Sequence, residues 1–224
     1  MLQMIIADVI FRIEYDEPMA IQQFSNYICD DHHQPDVIIN AKRINGRTRH
    51  HYIFREIARA LKNESSFFLH SSAVVLNNEA FVFTAPSGTG KSTHSKLWVD
   101  TFQGSTFILN DDLPILKPVR EKMFIYGSPW AGQNHLQVND KAEVSSICFI
   151  EQASENWVNR IDSIEALPLL MRQLYILNQD SSTPSTLLHF LDRLFQDVPM
   201  FRMGCTISKE SVFLAYRVLK RVNK

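Results

Sequence analysis

The residues best suited to chemistry lie together at Ala85-Pro-Ser-Gly-Thr-Gly-Lys-Ser-Thr93. Two glycines one residue apart let successive backbone N–H groups turn into one concavity that attracts an anion. The apolar run Glu79–Thr84 ahead of it reads as a strand, and a helical pattern follows through Leu97 and Trp98. The helix then aims its positive N-terminal end at the same concavity. Strand, glycine loop and helix in that order are the context a phosphate loop of the form GxxxxGK[ST] requires. Ala85 holds the first glycine position, which tolerates alanine as long as φ stays negative. On this reading Ser87, Gly88, Thr89, Gly90, Lys91, Ser92 and Thr93 bind the phosphates of a nucleotide. Lys91 reaches the β- and γ-oxygens and Ser92 holds Mg²⁺.

A phosphate loop needs partners. Asp111 and Asp112 end the apolar run Thr106–Leu109, where a neighbouring strand terminates. Two adjacent carboxylates divide into one that contacts Mg²⁺ or its water and one that accepts a proton. The alternative for the pair is a solvated loop entry capped by Asp. His70 opens the strand that precedes the loop strand and is placed beside the loop. A lone strand-end histidine is more often a satisfied structural residue, and the company it keeps is what raises His70.

The elements that must position these groups follow from periodicity. Ser72–Leu76 and Glu79–Thr84 read as a hairpin turned at Asn77-Asn78, residues that tolerate positive φ. Strands are expected at 4–15, 36–40, 106–110, 123–126, 144–150 and 199–203. Helices are expected around 17–30 and at 51–63, 163–177, 183–196 and 209–222. Residues 1–65 form a small accessory layer and 66–224 the main α/β unit. With 224 residues, 45% of them apolar, the chain is long enough for a substantial core. A formal charge of −1 does not mark a nucleic-acid or anionic-membrane surface. The widely spaced Cys29, Cys148 and Cys205 fit neither a disulfide framework nor a zinc site. No signal peptide or apolar span is readable, which leads to the expectation of a cytoplasmic protein.

His70 on a hairpin, SGTGKS in the loop and Asp111-Asp112 at the next strand end resemble HPr kinase/phosphorylase and, more distantly, the ATP-dependent phosphoenolpyruvate carboxykinases. The resemblance is best over 69–116. Through YGSPWAGQNHL and SICFIEQASENWVNRI it is similar to small HPr-kinase-like bacterial proteins. It implies an α/β fold with a mixed sheet, a phosphate loop and flanking helices, an ATP- and Mg²⁺-dependent kinase, and a serine acceptor on a peptide or small protein. Small-molecule hydroxyls remain a second acceptor class, and a non-catalytic ATP-sensing module is the rival reading. Carried over by residue, the resemblance implies ATP phosphates on Gly88–Thr93, His70 near the γ-phosphate, Ser92 and one of the acidic pair on Mg²⁺, and the other of the pair as catalytic carboxylate. Of the two assignments, Asp111 as base and Asp112 as metal contact is the one preferred. HPr kinases assemble as hexamers, so it also implies a homo-oligomer. Thr93 departs from the family's Glu after the loop serine. The glycine-rich signature of the reverse phosphorolysis is absent, which argues against that reaction.

In the loop Tyr126–His135, Trp130 offers an aromatic face and Gln133 and His135 offer hydrogen bonds to an acceptor. The alternative is a tight turn with Trp130 packed on a neighbour. Arg160 suits transferred charge as an arginine finger does, or pairs with Glu155 at the surface.

Overall fold

The computed structural model describes residues 1–16, 22–44, 46–177 and 183–220. The first expected strand, 4–15, is instead a hairpin. β1 (Leu2–Ile6) and β2 (Val9–Glu14) pair antiparallel, with Ala7 and Asp8 at φ 51° and 63° between them. Both turn residues take the positive φ of a two-residue turn, without the Asn-Gly that would announce one. β3 (Val37–Asn40) adds parallel to β2. Of the helix expected over 17–30, residues 17–21 lie outside the described residues. Gln22–Tyr27 is only a short 3₁₀ turn that buries Phe24 and Tyr27. α1 (Gly46–Asn63) begins earlier than 51 and buries Ile53, Ile57 and Leu61 along one side.

The second sheet holds nine strands. β4 (Phe67–Phe68), β8 (Ile115–Val119), β9 (Lys122–Tyr126), β10 (Lys141–Gln152), β6 (Glu79–Thr84), β5 (Ser71–Leu76) and β7 (Thr106–Asn110) run in that spatial order. β12 (Met200–Cys205) pairs parallel with β10, and β11 (Trp157–Ile161) lies antiparallel at its far edge. β10 is long enough to serve β9 with Lys141–Glu143 and β12 with Ile147–Gln152, while β6 pairs parallel with it. The sheet is therefore mixed.

Alternation along these strands feeds two cores. Phe81 and Phe83 pack with Trp98 of α2 (Lys91–Thr101) and with Val212, Ala215 and Leu219 of α5 (Lys209–Leu219). On the opposite face Val82 and Val75 join Ala166 and Leu170 of α3 (Ser163–Met171) and Phe190 and Leu194 of α4 (Thr183–Asp197). Helix, sheet and helix make three layers. A third cluster runs from Phe11, Ile13 and Ile57 into Phe68, Ile115 and Tyr126, so the small sheet and the large one share apolar packing.

Other differences from expectation have local causes. β8 carries Pro118, which sits beyond the two residues that pair with β4, where no neighbour needs its N–H. β11 is an edge strand whose half-buried Trp157, Val158 and Ile161 are interrupted by exposed Asn159 and Arg160, so no strict alternation marks it. The helix expected to 177 stops at Met171, because Leu174 and Tyr175 turn back to bond Leu69 and Phe68 in extended form. Residues 178–182 and 221–224 lie outside the described residues.

Candidate active site

Strand direction decides what can meet. β6, β10 and β12 are parallel, and β7 runs the same way because it is antiparallel to β5, itself antiparallel to β6. Hence the glycine loop after β6, Asp111-Asp112 after β7, Gln152 at the end of β10 and Cys205 at the end of β12 all emerge at one end of the sheet. His70, ahead of β5, joins them there. In α/β sheets this carboxyl end is where ligands bind.

At that end a cleft of about 430 Å³ is lined by His70, Ser87, Gly88, Gly90, Lys91, Ser92, Thr93, Asp111, Asp112 and Gln133, with Gly132 and Asn134 closing it. Gly88 has φ 80° and Gly90 φ 118°, and a Cβ at either would meet nothing within 4 Å. Backbone conformation, not space, is what requires glycine there. Ala85 is buried and keeps negative φ. Gly90 caps α2 with no side-chain bond, so the first-turn amides face the cleft side uncapped. Lys91 is 7% exposed, and its Nζ donates to the carbonyls of Ala85 at 2.9 Å and Pro86 at 3.3 Å. Burial lowers its pKa, against the pull of Asp112 and Asp111.

The two aspartates differ. Asp111 is 7% exposed; its Oδ2 accepts from Asn134 Nδ2 at 3.2 Å, while Oδ1 is buried and unpartnered. Asp112 is more open, and its Oδ1 lies 3.7 Å from His70 Nε2. Burial raises the Asp112 pKa, with Asp111 adding to it and His70 and Lys91 opposing. Ahead of the pair stands Asn110, which is fully buried and holds the backbone at Asp112. Its Oδ1 accepts from Asp112 N at 3.0 Å and Leu113 N at 2.9 Å, and its Nδ2 donates to Ser128 O at 2.9 Å. Gly132, at φ 62°, lets the facing loop approach; its Cβ would stand 3.3 Å from Asp112 Cβ.

The remaining expected residues divide. Gln133 reaches the cleft. Trp130 does not: its ring packs edge-on to Phe54 at 4.8 Å, Phe68 at 5.5 Å and Phe24 at 6.0 Å, tying the loop to the small sheet's core. This corrects its expected place against an acceptor. His135 turns the other way, into a groove with Lys96, Val99 and Phe107. Arg160, on β11, is separated from the loop strand by β10 and β12 and lines a different hollow with Phe195 and Val198. Among the described residues it forms no ion pair with Glu155. Asn110, Gly132 and Asn134 are site residues that periodicity does not reveal; the signal available was Asn110's place directly ahead of the aspartate pair.

On the far side of the loop a cavity of about 550 Å³ shares Gly88, Gly90 and Thr93 with the cleft. Leu97, Ala153 and Ile207 give it apolar walls, and Gln152 Nε2 holds Thr89 O at 3.2 Å. His94, 2% exposed, accepts from Trp98 Nε1 at 3.0 Å, and burial holds its pKa down to about 4, so the wall is neutral.

Among the described residues no group of three or more His, Cys, Asp or Glu side chains is arranged to hold a metal ion by itself. A magnesium ion that takes most of its oxygens from phosphate and water does not require one. The unpartnered Asp111 Oδ1, with Ser92 across the cleft, fits a divalent cation by its chemistry. No helix among the described residues is long and apolar enough to cross a membrane.

No family model matches the chain, and no curated protein does. Among solved structures, the HPr(Ser) kinase/phosphatase from Coxiella burnetii aligns over 67% of this chain and 94% of that chain, with TM-score 0.38 and 13% identity. At that depth the likeness leaves function to the site's own geometry.

Proposed function

We propose that the protein is a kinase that transfers the γ-phosphoryl group of ATP to a hydroxyl, a serine of a peptide or small protein being the preferred acceptor. The observation that carries this reading is the single cleft in which the glycine loop and Lys91 face Asp111, Asp112 and His70. The nucleoside occupies the apolar cavity beside Thr93 and Leu97, and the phosphates lie along Gly88–Ser92. The backbone amides and Lys91 neutralise their charge. Lys91 exchanges its carbonyl partners in the loop for phosphate oxygens. Magnesium, when bound, adds charge neutralisation, and Asp111 and Ser92 are the residues that hold it.

The acceptor hydroxyl enters past Gln133 and Asn134. Its oxygen bonds to the γ-phosphorus as the β–γ bridging bond breaks toward the β-phosphate, and Asp112 accepts the hydroxyl proton. Of the two assignments left open by the sequence, this is the reverse of the one preferred there. Asp111 is buried with a bare oxygen, as a cation ligand should be, whereas Asp112 faces the open cleft and His70.

The test offers γ-labelled ATP and Mg²⁺ to cell extract divided into peptide-sized and small-metabolite fractions. Label should appear in the peptide fraction and be lost with Lys91→Ala. Asp112→Asn should lose about 10²-fold or more in transfer while ATP affinity holds, and Asp111→Asn should demand more magnesium. Tight ATP binding with no transfer to any fraction refutes the kinase and leaves an ATP sensor.

A further inference from the structure

His70 is held from one side by a residue outside the sequence motifs. Its backbone N–H donates to Gln173 O at 2.8 Å, and its ring Nδ1 lies 2.9 Å from Gln173 Oε1. Gln173 is itself fixed. Its N–H donates to Leu170 O at 2.9 Å at the end of α3, and the next residues, Leu174 and Tyr175, bridge to Leu69 and Phe68. On the other side of the ring, Nε2 faces Asp112 Oδ1 at 3.7 Å, beyond hydrogen-bond reach. The backbone of Asp112 is tied to the same place, its carbonyl accepting from Ser71 N at 2.9 Å.

We infer that Gln173 is a positioning residue that fixes the tautomer of His70. A neutral imidazole carries one proton, and the nitrogen with the better acceptor keeps it. Gln173 Oε1 is the nearer of the two acceptors, so Nδ1 is protonated and Nε2 presents its lone pair toward Asp112. A carboxamide does this without adding charge, which a glutamate at 173 would. The consequence for catalysis rests on the proposed role of Asp112: the bare Nε2 stands ready to receive the proton that Asp112 takes from the acceptor. The tautomer itself rests on geometry alone.

The experiment uses the full chain labelled with ¹⁵N-histidine and reads the ring nitrogens through long-range proton–nitrogen spectra at alkaline pH, where the rings are neutral. His70 is assigned by its loss in His70→Gln. Wild type should show Nδ1 protonated and Nε2 bare. Gln173→Glu keeps an acceptor and should keep that pattern. Gln173→Leu and Gln173→Met, both without an acceptor, should move the proton to Nε2. In the transfer assay these two should lose at least tenfold in kcat with KM for ATP unchanged, and Gln173→Glu should lose less. An Nε2-protonated His70 in wild type, or leucine and methionine variants whose His70 spectra match wild type, overturns the assignment. So does an unchanged kcat after the tautomer has switched. If the spectra behave as stated and even wild type transfers no phosphate, the positioning stands and the kinase reading falls.

Discussion

Asn110→Ala removes the buried amide that holds the backbone at Asp112 and Leu113. Three contacts of 3.0 Å or less are lost: two backbone donors, Asp112 N and Leu113 N, and one carbonyl acceptor, Ser128 O. A buried polar group left unpaired costs about 1–3 kcal/mol. Asp112 and Leu113 are only partly buried, so water recovers some of this, and the net loss should be about 3 kcal/mol. For a chain of this size that lowers Tm by about 6–12 °C. Asn139→Ala is the matched control, since Asn139 is exposed and donates one bond, to Asn26 O at 3.0 Å; its cost should stay below about 0.5 kcal/mol. Urea unfolding of both variants, read by circular dichroism, gives the comparison directly. A loss below about 1 kcal/mol for Asn110→Ala, or one no larger than the control's, would show that another contact holds the aspartate-bearing strand tip.

Gly90→Ala should weaken ATP binding tenfold or more while leaving the fold intact. The added Cβ meets nothing, so the whole effect comes from forcing φ 118° on an alanine, about 1–3 kcal/mol. Gly104→Ala, at φ 79° outside the site and equally uncrowded, should destabilise without touching affinity; equal affinities in calorimetry for all three proteins would refute the loop's role. His94 supplies a pH test. Its pKa is about 4 when folded against 6.5 when free, so the unfolded chain binds the extra proton between those values. Its stabilising contribution is complete above pH 6.5 and is lost as pH falls toward 4, at about 1.4 kcal/mol per unit. Urea midpoints of wild type and His94→Gln should therefore diverge less at pH 5 than at pH 7; a constant gap would contradict a buried neutral ring.

The hairpin Ser71–Thr84, the loop and the tail helix Lys209–Leu219 were legible because each is written locally: alternation, a two-Asn turn, an apolar stripe at 3.6-residue spacing. The hairpin at Ala7-Asp8 was not, since Ala7 disfavours the positive φ it takes and the pairing of Leu2–Ile6 with Val9–Ile13 imposes it. β11 escaped because Asn159 and Arg160 side by side break the alternation among Trp157, Val158 and Ile161. The candidate site divides in the same way. The glycine loop and aspartate pair announce themselves by type and spacing. Gln173 matters only because the chain after α3 returns to bond His70, a relation between residues far apart in sequence. Trp130 looked like a ligand platform from its glycine-flanked loop, but three phenylalanine rings from other elements claim it.

The order in which the chain leaves the ribosome gives the sheet's topology a further meaning. β5 and β6 close their own hairpin early, but β6's other neighbour starts only at Lys141, and β12 and α5 come last. Until Val212, Ala215 and Leu219 arrive, Phe81, Phe83 and Trp98 lack one wall of their core. The growing polypeptide thus carries its glycine loop on a hairpin supported from one side only, with aromatic side chains uncovered until β10 and α5 arrive. Pairings this distant in sequence are formed slowly, so ATP-binding competence should return late in refolding, in step with docking of the tail helix rather than with the first appearance of strand signal.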